Sequence, residues 1–212
     1  MRQTKRSILI LYVTSALIAF SSGLGSAETR TERYFFTLCA MCHGQQGGGN
    51  QALGAPAIAG LPAWYVEAQL TKFRTDVRGK HPGDIAGMRM RPMARTIESD
   101  KDVKNIAAYV AALPIQKVAR TITGDVNRGQ QRFTVCTACH GPDAAGQRPL
   151  NAPPLKTTND WYQLRQLKNF KAHIRAGNPA KDPIGAQMAA IAASLENEQV
   201  MRDLVAYINT LK

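Results

Sequence analysis

The four cysteines of this chain fall into two matching frames, Cys39-Ala40-Met41-Cys42-His43 and Cys136-Thr137-Ala138-Cys139-His140, set 97 residues apart. Two thiols three positions apart sit about one helical turn from each other, so both can bond the vinyl groups of a single porphyrin. The histidine that follows then meets the iron from the same side. A zinc site would use the same atoms, but the two pairs are widely separated and each already has its own histidine. A thioredoxin-like dithiol expects strands around it, and no strand pattern flanks either motif. The expectation is therefore two haem c groups, attached at Cys39 and Cys42 and at Cys136 and Cys139, with His43 and His140 as axial ligands to iron.

The spacing of 97 is not confined to the cysteines. Phe36 falls on Phe133, Gly44 on Gly141, Gly49 on Gly146, Ala55-Pro56 on Ala152-Pro153 and Trp64-Tyr65 on Trp161-Tyr162. Gln69-Leu70 and Phe73 fall on Gln166-Leu167 and Phe170. Between about 75 and 88 one residue is inserted, and the offset becomes 98: Met90 then meets Met188, Glu98 meets Glu196, and Tyr109 meets Tyr207. Such a match marks a duplication. It also selects the second axial ligands. His81 and His173 do not correspond in either register, whereas Met90 and Met188 do. Met88 and Met93 correspond to Ala186 and Ile191, so they drop out. Pro56 and Pro153 each lie 13 residues after a haem histidine, where a carbonyl could accept the bond of the ring's other N–H.

Amphipathic spacing places helices over about 30–43 and its copy 127–140, over 63–75 and 160–175, and at the end of each half. Ser99 or Asp100 can cap the helix that ends before Pro114, and Asn197 its partner. Met90 and Met188 are expected in loops just before these terminal helices. The fold class is all-α, in two tandem domains, 28–115 and 116–212, joined near 114–124. Residues 1–27 read as a cleavable export signal, with an uncleaved membrane anchor as the alternative: Arg2, Lys5 and Arg6 precede an apolar run, and Gly25-Ser26-Ala27 offers small residues for cleavage. The net charge is +12, and the excess is shared by both halves. In an exported protein that balance points to acidic protein partners or an anionic membrane surface rather than to nucleic acid.

These motifs resemble those of class I cytochromes c, and specifically of the dihaem cytochromes c4. The likeness rests on both Cys-x-x-Cys-His sites, the following prolines, and the segments Met90-Arg91-Pro92-Met93-Ala94 and Met188-Ala189-Ala190-Ile191-Ala192. It covers about residues 30–212. It implies two domains about a pseudo-twofold axis, His43/Met90 and His140/Met188 ligation, and a periplasmic, membrane-associated setting. It further implies transport of single electrons toward a terminal oxidase, without enzyme activity or a small-molecule substrate. A dedicated electron-accepting subunit of a dehydrogenase, such as a flavoprotein sulfide dehydrogenase, is the alternative. A dihaem peroxidase is disfavoured by a methionine available to each haem. One departure stands out: Gly129, near the start of the second haem helix, corresponds to Glu32 in the first.

Overall fold

The computed structural model describes residues 29–212, so the expected export signal at 1–27 lies outside the described residues. In chain order, α1 (Arg30–Tyr34), a π-helical turn (Phe35–Cys39) and α2 (Ala40–His43) carry the first cysteine motif. They are followed by α3 (Ala63–Arg74), α4 (Ile85–Arg95) and α5 (Asp100–Ala112). The second set is α6 (Val126–His140), a short 3₁₀ turn (Arg148–Leu150), α7 (Asp160–Lys171), α8 (Pro183–Ala193) and α9 (Glu198–Thr210). Among the described residues there is no strand, only two isolated bridges, Asn50 with Ala55 and Gln147 with Ala152, again 97 apart.

Side-chain caps start most of these helices by satisfying backbone N–H groups that have no intrahelical acceptor. Ser99 accepts from Asp102 N at 3.1 Å and Asn197 from Val200 N at 3.1 Å, as expected of them. Asp84 and Asp182 do the same for α4 and α8, accepting from Gly87 N at 3.0 Å and Gly185 N at 2.8 Å. Those caps correct one expectation: Met90 and Met188 lie within helices, not in loops. Asp84 and Asp182 also show the 98 offset already established, whereas the left-handed residues Gly79 (φ 77°) and Ala176 (φ 61°) still keep 97. The inserted residue therefore lies between those two points.

Each set of helices closes around its own apolar core. Phe35, Leu70, Phe73, Ile97, Val103, Ile106 and Val110 form the first. Phe133, Leu164, Leu167, Leu195, Met201, Leu204 and Ile208 form the second. Phe35 and Phe133, at 0% and 1% exposure, are the central ring of each, worth about 1.5–3 kcal/mol of burial apiece. The connection between α5 and α6 is held at both ends. A Cβ on Gly60 would collide with Ile115, while Thr121 N, Thr121 Oγ1 and Ile122 N all donate to the buried Asp160 carboxylate.

Candidate functional site

Each cysteine motif ends in a histidine that is turned inward and clamped. His43 Nδ1 lies 2.7 Å from Pro56 O, and His140 Nδ1 lies 2.8 Å from Pro153 O. A carbonyl oxygen only accepts, so Nδ1 must carry the proton and Nε2 is left with a free lone pair. Burial lowers the pKa of both imidazoles, which keeps the rings neutral and able to bind a metal. The clamp depends on a tight loop: Gly49 N donates to His43 O at 2.7 Å and Gly146 N to His140 O at 2.8 Å. Both glycines are left-handed (φ 88° and 80°), and a Cβ on either would come within 2.5 Å of a backbone nitrogen.

None of the four cysteines is joined to another in a disulfide. Burial, with a smaller contribution from the neighbouring cysteine of each motif, pushes Cys39 and Cys136 up to about 11. That is the reverse of a redox dithiol, whose nucleophile needs a lowered pKa. The thiols, clamped imidazoles and apolar walls suit covalent attachment of a flat hydrophobic cofactor. Met90 and Met188 pack partly buried against the first and second cores, whereas Met88 and Met93 are 45% and 39% exposed. The repeat and the packing therefore single out the same two methionines. His81, whose Nδ1 accepts from Gly83 N at 3.0 Å, and His173 line a surface cleft with Lys80 and Asn178, away from either clamp.

Between the two sets of helices runs a polar network that sequence reasoning missed. Arg78 donates to Gln69 Oε1 (2.9 Å), Tyr162 OH (2.9 Å) and Gln166 Oε1 (3.2 Å). Arg175, 97 residues on, donates to Gln166 Oε1 (2.8 Å), Gln69 Oε1 (3.0 Å) and Tyr65 OH (3.5 Å). The pattern is pseudo-twofold. The guanidiniums lie over their own halves' phenylalanines, Arg78 on Phe73 at 4.6 Å and Arg175 on Phe170 at 4.5 Å. Lys72 to Asp182 (2.8 Å), Arg165 to Gly54 O (2.6 Å) and Ala57 N to Asn159 Oδ1 (2.5 Å) complete the seam. Burial would raise the Tyr162 pKa, but Arg78, Arg175 and Arg165 hold it below its ordinary value. Arg78 Nε and Arg165 Nε are buried without an acceptor. Cations gathered this way, with donors unspent, call for an anion. A signal for the network was present, since Tyr65, Gln69 and Arg78 all recur 97 residues later.

The sequence matches the family described as Cytochrome c at residues 29–114 and again at 126–212. It is 33% identical over 173 residues to the Cbb3-type cytochrome c oxidase subunit CcoP of Rubrivivax gelatinosus, a match covering 80% of this chain but only half of that subunit's length. It is 28% identical to the thiosulfate dehydrogenase electron acceptor of Stutzerimonas stutzeri (strain A1501), over 76% of this chain and 74% of the relative. Among solved structures, the reduced recombinant cytochrome c4 from Pseudomonas stutzeri superposes with a TM-score of 0.64 at 27% identity, covering 83% of this chain and 94% of the other.

Proposed function

Because the chain belongs to the cytochrome c family and carries that domain twice, in the tandem arrangement of the dihaem cytochromes c4, we propose that it is a periplasmic carrier of single electrons toward a terminal oxidase. It binds two covalent haem c groups and transfers electrons. Cys39 and Cys42 hold one haem and Cys136 and Cys139 the other, within domains 28–115 and 116–212. His43 and Met90 are the axial ligands of the first iron, His140 and Met188 those of the second. Export by residues 1–27 delivers the chain to the compartment where such partners meet it. The single observation that carries this reading is the duplicated histidine clamp, with Nδ1 on a proline carbonyl and one partly buried methionine in each half.

When bound, haem supplies reversible one-electron Fe(III)/Fe(II) chemistry. The chain sets the conditions. The Pro56 and Pro153 carbonyls fix the imidazole tautomer and raise its basicity. Met90 and Met188 would supply thioether sulfur, which favours the ferrous state relative to a second imidazole. The apolar cores exclude water. Arg78 and Arg175, which donate across the seam to Tyr162 and Tyr65, would be the residues to hold carboxylates of a bound haem. With a methionine for each iron, neither site is left open for a substrate, so the chain itself is read as a carrier and not an enzyme.

The likeness to a thiosulfate dehydrogenase electron acceptor favours a second reading, in which the chain is the dedicated acceptor of a dehydrogenase. That relative directs the alternative toward thiosulfate oxidation in place of the flavoprotein suggested by the sequence. An anaerobic redox titration of the purified holoprotein, repeated with thiosulfate and with peroxide, tests the proposal. Two one-electron steps and no turnover of either compound are expected. Direct reduction by thiosulfate, or peroxide turnover, would contradict it.

A further inference from the structure

The two halves match in their clamps and seam but not in the helices that carry their methionines. On α4 the inward positions are Gly87, Met90 and Ala94, and the outward ones are Ile85, Met88, Arg89, Pro92 and Arg95. Ile85 (66% exposed) and Met88 (45%) make the first turn of this outer face apolar, and Arg89 and Arg95 follow it toward the helix end. Arg91 is turned aside onto Asp76 at 2.6 Å, and Arg95 lies 3.7 Å from the same carboxylate with half its side chain exposed. Lys80 adds a further positive charge beside Asp76. The Asp84 carboxylate at the start of this helix is spent on its cap. The equivalent face of α8, at the 98 offset, reads Pro183, Ala186, Gln187, Ala190 and Ala193, and that helix bears no charge at all.

We propose that the outer face of α4 is the docking surface for an acidic redox protein, and that the first half of the chain, not the second, is the salt-dependent port of the molecule. This rests on the carrier reading above and deepens it. Exposed methionines and arginines are the residue types enriched in protein–protein contacts. A cationic rim steers an acidic partner and sets its orientation within a Debye length of about 8–10 Å. The position is suited to electron exchange as well. A helix with its side chains is about 10–12 Å across, so a partner seated on the outside of α4 is one helix width from Met90 on the inside.

Binding can be measured with both proteins reduced, so that no electron moves. The probe is an acidic plastocyanin in its Cu(I) state, titrated calorimetrically into the fully ferrous dihaem protein at low ionic strength. The reversal Arg89→Glu/Arg95→Glu is expected to weaken binding at least tenfold and to flatten its salt dependence. The same charge change on the second half, Arg148→Glu/Lys181→Glu, should cost less than twofold. Equal weakening by both pairs would mean that net charge steers and α4 does not, which overturns the proposal. So would no binding of plastocyanin by the unmodified protein, or loss on Arg89→Glu/Arg95→Glu only of binding to phosphatidylglycerol vesicles. Haem content and ferricyanide oxidation of each variant report separately on the carrier reading, whose failure would show there instead.

Discussion

Asp203 and Asp160 are fully buried in the second half, where the corresponding positions of the first half hold Asn105 and Ala63. Asp203 is held below the ordinary carboxylate pKa first by Arg128, with Asp125 N and Gln199 assisting against burial. Burial alone would raise Asp160, but bonds from Ile122 N, Thr121 and Asn209 outweigh it and lower its pKa. A carboxyl whose pKa is depressed by folding stabilises the fold above its unfolded value, near 4, and loses that contribution as pH falls through the folded one. Asp203→Asn is therefore expected to destabilise the second half by about 1–3 kcal/mol at neutral pH. Hydrogen exchange of α6 and α9 should show the loss, and the gap from the unmodified protein should close as pH drops below about 4. A gap that widens on acidification would reverse the assigned sign. A second residue-scale prediction separates the methionines. Met90→Ala and Met188→Ala should each abolish half of the far-red ferric band of sulfur-ligated iron, while Met88→Ala and Met93→Ala leave it whole. The repeat makes Met90 legible because both copies need the same atom. It says nothing of Asp203, whose requirement exists in one copy only.

At the scale of elements, the two haem-bearing helices reach the same end by different routes. In α6, Gly129 lets the helix close against α9: a Cβ there would meet Asp203 O at 2.0 Å and Tyr207 Cβ at 2.9 Å. In the first half the π turn shifts the register by one, so that Phe35 and not the expected Phe36 takes the place of Phe133, lying against Tyr109 as Phe133 lies against Tyr207. Thr31 rather than Glu32 then corresponds to Gly129. Instead Thr29 and Glu32 form a capping box, with Glu32 accepting from Thr29 N at 2.7 Å and Thr29 from Glu32 N at 3.2 Å. Arg30 ties the helix start to Glu98 and, at 3.4 Å, to Asp102 in the first turn of α5, and a π turn ends at Cys39. Gly129→Ala should cost about 1–3 kcal/mol through overpacking, read as a lower thermal midpoint. Glu32→Ala should lower that midpoint by less, through the lost cap. Equal effects would mean that the close crossing of α6 and α9 is not what the glycine serves. The capping box is written in Thr29-x-x-Glu32, whereas the π turn has no local signature of its own. The placement of Met90 and Met188 in helices was less legible. Pro92 and the glycines read as loop, and only the Asp84 and Asp182 caps, satisfied through Gly87 N and Gly185 N, start those helices.

On the scale of the whole molecule, two small cores are joined by a seam made of the same side chains taken twice. Arg175→Gln removes donors that reach both Tyr65 and Gln69 across the seam. Its expected result is a looser pair of halves, seen as a larger radius of gyration in solution scattering with haem content unchanged. Unchanged scattering would mean that Lys72–Asp182, Arg165–Gly54 and Ala57–Asn159 hold the halves together without it. The pseudo-twofold arrangement follows from a duplication visible in the sequence, but the seam contacts do not, because no local pattern tells which repeated polar residues face each other. The central claim is that each repeat is a complete haem site. It is tested most directly by counting covalently bound haem, from the mass of the denatured chain, in the unmodified protein and in Cys136→Ala/Cys139→Ala. Two haems are expected in the first and one in the second, retained on the peptide that holds Cys39 and Cys42. A single haem in the unmodified chain, or the loss of both in the variant, would contradict it.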